Sequence, residues 1–125
     1  MNEKGYKRLK VYEAAHTLVK DIYHTTETFP KTELFGLVSQ MRRAAVSIVA
    51  NILEGQARAS KKEFRQFISI ANGSLVELEY YLELVYDLHY ISEKTYQQLE
   101  QRRIVVGSLL GGLAKYLRIN LSHDA

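Results

Sequence analysis

Residues 93–119, EKTYQQLEQRRIVVGSLLGGLAKYLRI, decide the fold class. Within them Tyr96, Leu99, Arg103, Val106, Leu110, Leu113 and Leu117 follow one another at alternating spacings of three and four. On an α-helix that spacing lays them along one stripe, and every member of the row except Arg103 is apolar. Ser92 stands just ahead of the row, where its hydroxyl can cap the first turn. The pattern predicts an amphipathic helix over about 93–119.

The rest of the chain divides in the same way. Ser60-Lys61-Lys62-Glu63 is a capping box, in which Ser60 and Glu63 satisfy orphan amides at a helix start. It opens a predicted helix over 61–89, with Phe64, Phe67, Ile68, Ala71, Leu75, Leu78, Leu82 and Val85 on the seam. Arg65, Ser69, Asn72, Glu79, Glu83 and Asp87 lie on its outer face. Pro30 ends any helix running from about residue 9, because proline lacks an amide donor and disfavours helix in the residue before it. The first helix therefore covers about 9–28, with Val11, Ala15, Leu18 and Ile22 inward, and the second about 33–58. No stretch alternates like a strand, and the connections are only a few residues long. Four long helices with short loops make an all-α, up-down-up-down antiparallel four-helix bundle, one domain over the 125 residues.

Composition narrows the function classes. The absence of cysteine excludes disulfides, thiolate metal sites and cysteine nucleophiles, and fits a cytoplasmic protein. The opening MNEKGYKRLK does not read as a signal peptide. The longest apolar stretch, residues 44–53, is interrupted by Ser47 and Asn51 and falls well short of the ~20 residues that span a bilayer. No membrane role is expected. The histidines, His16, His24, His89 and His123, form no metal-ligand pair at helical spacing. There is no phosphate-cradling glycine loop and no nucleophile elbow. The expectation is a protein with no catalytic residues, no metal, no cofactor and no enzymatic activity.

The second helix is apolar on more than one side. Leu37, Met41, Ala44, Ala45, Ile48 and Ile52 form the stripe that packs into the bundle. Val46, Val49, Ala50 and Leu53 lie toward the far side, and another subunit is the natural cover for them. Ile104, Val105, Gly107 and Gly111 of the fourth helix extend the expected oligomer interface. A polar band, Gln40, Arg43, Ser47, Asn51, Glu54 and Arg58, runs between the two apolar faces. Glu77 falls near Ile70, Tyr81 and Leu84 on the wheel, so it is expected to be covered and paired with Arg43 or Arg103, because a desolvated charge needs a partner.

Several segments carry a resemblance: TFPKTELFGL at residues 28–37, QMRRAAVSIVANILEG at 40–55, FRQF at 64–67, IANGSLVEL at 70–78 and LHYI at 88–91. In these the chain resembles the four-helix bundle family of 23S ribosomal-RNA intervening-sequence proteins, over roughly residues 9–119. The resemblance implies a bundle that assembles into a homopentameric ring, encoded in that family within insertions in large-subunit ribosomal RNA genes. A related branch, the accessory variability determinant of diversity-generating retroelements, is implicated in binding nucleic acid. No enzymatic activity is implied.

Charge adds a second line. The net charge is +3, and the up-down topology distributes it unevenly. The start of helix one, the end of two, the start of three and the end of four share one pole. Lys7, Arg8, Arg58, Lys61, Lys62, Arg65, Lys115 and Arg118 collect there as candidate contacts to RNA or DNA phosphates. The competing expectation is that these cations only solubilise the helix ends and that the chain is a scaffold recruiting another protein.

Overall fold

The computed structural model describes residues 9–120, which form four long helices: α1 (Lys10–Thr26), α2 (Ser39–Gln56), α3 (Lys61–Asp87) and α4 (Glu93–Ile119). Among the described residues there is no strand. α1 packs on α2 and α4, and α3 on the same two, so the helices stand in a square with their neighbours in sequence antiparallel. The core they enclose is built from the expected seams. Leu18 and Ile22 of α1, Met41, Ile48 and Ile52 of α2, Ile68, Leu78, Leu82 and Val85 of α3, and Val106 and Leu110 of α4 are fully buried. Each such side chain contributes roughly 1.5–3 kcal/mol by leaving water.

The caps account for the breaks. The Glu63 amide donates to Ser60 Oγ at 3.1 Å, and the Thr95 amide to Ser92 Oγ at 3.1 Å, which starts α3 and α4. α3 ends in a Schellman motif, with the Tyr90 amide donating to the Val85 carbonyl at 2.9 Å and the His89 amide to the Tyr86 carbonyl at 3.0 Å. The motif puts His89 in the left-handed region, φ 65°.

The second helix departs from the expected unbroken run over 33–58. A 3-10 turn (Lys31–Glu33) leads into a wide π-type turn (Leu34–Val38), helical geometry is interrupted at Gly36 (φ −108°, ψ −109°), and the regular α-helix starts only at Ser39. The segment before the break is held by a residue far away in sequence. Tyr90, in the α3–α4 turn, donates its hydroxyl to Glu33 Oε2 at 2.9 Å, and its ring packs against buried Phe29 at 5.4 Å. The turn that follows carries the non-helical residue Gly36, and Phe35 beside it is 92% exposed.

Candidate nucleic-acid interface

The α2–α3 corner fixes the middle of the basic pole. Gly55 is buried, and a β-carbon built on it would stand 2.8 Å from Phe64 Cδ1 and from Phe67 Cβ, so the two helices can approach this closely only with glycine at that position. Immediately after it the Arg58 guanidinium lies 4.9 Å over the Phe67 ring and 2.9 Å from Glu54 Oε2. Both partners of that ion pair are about half exposed, so it orients Arg58 more than it stabilises the fold. Lys61, Lys62 and Arg65 follow in the first two turns of α3, and Lys115 and Arg118 lie in the last two turns of α4, which returns to the same end. Lys7 and Arg8 lie outside the described residues.

The polar band of α2 separates into local bonds. Ser47 Oγ and Ser74 Oγ lie 2.8 Å apart across the α2–α3 contact. Asn51 Nδ2 donates to the Ser47 carbonyl at 2.8 Å and to Ser47 Oγ at 3.1 Å, which ties the pair into one cluster. Glu54 is taken by Arg58, while Gln40 and Arg43 are exposed.

The expectation that Glu77 is covered and paired with Arg43, or otherwise with Arg103, does not hold. Glu77 is exposed and accepts a hydrogen bond from the Tyr81 hydroxyl at 3.1 Å. Burial chiefly, and then that bond, raises the Tyr81 pKa, against a smaller lowering by Arg43. Arg103 instead donates to both Glu100 oxygens, at 2.7 and 2.9 Å, and lies 3.4 Å from Glu79. The reason is rotational: Glu77 and Glu79 stand about 200° apart around α3, and only Glu79 is on the edge that meets α4.

The expected oligomer surface is partly open and partly used within the chain. Val46 is 42% exposed, Ile104 51% and Val105 50%, and Ala50 is exposed as well, whereas Val49 and Leu53 are half-buried. Gly107 turns inward, where a β-carbon would meet Leu75 Cδ2 at 3.3 Å, so its small size serves α3–α4 packing instead of an external contact. Gly111 faces open space. Tyr23, Leu34, Phe35, Val46 and Ala50 line an open groove of about 700 Å³ on the α1–α2 side. Arg42 closes its edge, stacked 4.5 Å over Tyr23 and donating to Thr26 Oγ1 at 3.0 Å. Leu34 and Phe35 escape a helical-wheel reading because the wheel assumes a continuous helix; the one sign of the break in the sequence is Gly36 between Phe35 and Leu37.

Among the described residues no group of three or more His, Asp or Glu side chains could hold a metal ion, and no helix is long and apolar enough to cross a membrane.

These features define a protein class, the antiparallel four-helix bundle with a polar α2–α3 clasp and a charged pole. Within that class, the family model of the 23S rRNA-intervening sequence protein matches residues 7–112, and the chain belongs to that family. It is also similar to a crystal structure of a protein of unknown function from the S23 ribosomal protein family of Bacteroides thetaiotaomicron VPI-5482. The TM-score is 0.77 at 25% identity, covering 84% of this chain and 95% of that one. No curated protein sequence matches the chain.

Proposed function

We propose that the chain is a non-enzymatic, cytoplasmic bundle that associates with itself, as the homopentamer its family resemblance implies, and holds RNA or DNA at the basic pole. The observation that carries this reading is the convergence of Arg58, Lys61, Lys62 and Arg65 around the α2–α3 turn with Lys115 and Arg118 at the end of α4. α3 begins there, and the positive end of its dipole adds to the attraction for phosphate. Repeating that pole around a ring would concentrate the potential.

The test is salt-dependent binding. A variant carrying Lys61→Gln, Lys62→Gln and Arg65→Gln should remain folded and bind duplex DNA or structured RNA more weakly. Its log-log salt slope should flatten by roughly 0.9 for each duplex phosphate that the variant no longer neutralises. Unchanged affinity and slope would reduce the pole to a solubilising surface.

A protein-interaction scaffold is the second reading, and the exposure of Phe35 beside Leu34 and Val46 favours it. Phe35→Ser separates the surfaces. Light scattering should show a smaller assembly if this groove joins copies of the chain, and an unchanged one if it is kept for a different protein.

A further inference from the structure

α3 and α4 carry poor helix formers where the chain itself makes no use of them. Asn72 and Gly73 sit in the middle of α3, and Gly111 and Gly112 in α4, all exposed. A β-carbon on Gly73, Gly111 or Gly112 would meet nothing within 4 Å, so no contact inside the chain requires glycine there, although each costs about 1 kcal/mol of helix stability relative to alanine. Between the two helices at this level runs a groove of about 260 Å³, lined by Arg65, Ile68, Ser69, Asn72, Leu110, Gly111 and Ala114. Its α3 wall is a row of donors at helical spacing, Arg65, Ser69 and Asn72, none of which bonds to another described residue. Its α4 wall is flat because Gly111 has no side chain. One end lies toward Lys115 and Arg118 at the basic pole, and the Glu79–Arg103–Glu100 cluster lies about two helical turns beyond Asn72 at the other.

We propose that this α3–α4 groove binds the sugar-phosphate backbone of a single-stranded nucleic acid, with Arg65, Ser69 and Asn72 donating to phosphate oxygens and Gly111 leaving room for the strand. The inference rests on the nucleic-acid reading of the basic pole and gives it a specific seat. The donor row runs about 10 Å along the helix axis, from the helical rise between Arg65 and Asn72. A guanidinium, a hydroxyl and a side-chain amide all donate to phosphate. The backbone of a single strand can lie along the shallow furrow between two packed helices with its bases turned outward, whereas a duplex can only rest on the rim. Asn72 is the last donor of the row, and beyond it two carboxylates outnumber Arg103, so the strand enters from the pole.

The test measures binding of a fluorescent oligothymidylate and of a DNA duplex to the full chain and three variants, each checked by circular dichroism, thermal melting and light scattering, so that a lost assembly is not read as a lost groove. Gly111→Leu fills the groove without altering charge, and open space at Gly111 means the variant should melt at or above the parent's temperature. Asn72→Ala removes a donor without altering charge. Lys61→Gln with Lys62→Gln lowers the charge of the pole without touching the groove. Gly111→Leu and Asn72→Ala should each weaken oligothymidylate binding about tenfold, the size of one hydrogen bond to a charged group, and change duplex binding little. The lysine variant should weaken both ligands and flatten the salt slope. If only the lysine variant loses affinity, the pole binds nucleic acid but the groove does not, and the inference falls alone. If no variant differs from the parent, the inference and the reading beneath it fall together.

Discussion

Gly55 of α2 and Phe67 of α3 meet so closely that a β-carbon on the glycine would stand 2.8 Å from Phe67 Cβ. Both atoms of such a contact would belong to the stiff base of a side chain, so the helices themselves would have to move apart. Gly55→Ala should therefore destabilise the fold by about 1–3 kcal/mol, despite alanine's better helix propensity. Urea denaturation checks the sign: a more stable variant would mean that α2 can shift without loss.

Arg103 is the charge whose removal should be felt. Its side chain is only 14% exposed, and it satisfies a Glu100 carboxylate that is 19% exposed. The hydrogen bond to Glu100 is also the main reason the Arg103 pKa is raised. Arg103→Ala strands Glu100 and should cost about 2 kcal/mol, below the value for a fully buried pair because water reaches part of the site. Glu77→Ala, by contrast, removes an exposed carboxylate and should change stability by no more than about 0.5 kcal/mol. Comparing the two variants in one melting series tests the assignment directly.

His89 holds a left-handed conformation that glycine adopts without a β-carbon penalty. His89→Gly should stabilise the protein by up to about 1 kcal/mol. A lower denaturation midpoint would show that the histidine side chain contributes something that outweighs its backbone conformation.

Tyr90 links alkaline pH to stability. Its hydroxyl bond to Glu33, followed by burial and the carboxylate's charge, raises its pKa above 10.0. A raised folded pKa means that the native state holds the proton more tightly than the unfolded chain. The stabilisation is therefore complete below pH 10.0 and is lost as pH rises through the folded value. Tyr81 and Tyr96 are shifted the same way, mainly by burial. The parent should lose stability above pH 10.0, and Tyr90→Phe should show a shallower decline; parallel profiles would remove Tyr90 as a contributor.

The four helices, their inward faces and their antiparallel order are legible in the sequence because each rests on local physics. A three-and-four spacing can bury only one stripe, Pro30 and Ser60 act on neighbouring residues, and short loops leave sequential helices side by side. The membership of the basic pole follows from topology alone, since it requires only knowing which helix ends coincide. What tertiary structure decided are the features set by contacts between distant segments. The partner of Arg103 depends on how α3 is rotated against α4, and a difference of two residues turns a carboxylate from the shared edge to solvent. The outward throw of Phe35 appears only where the chain leaves helical geometry at Gly36, and the bond from the Tyr90 hydroxyl to Glu33, fifty-seven positions away, is encoded by no local pattern. The groove between Asn72 and Gly111 likewise exists only once two helices stand at a fixed height and spacing, because a missing β-carbon makes a furrow only where a neighbouring helix supplies the other wall.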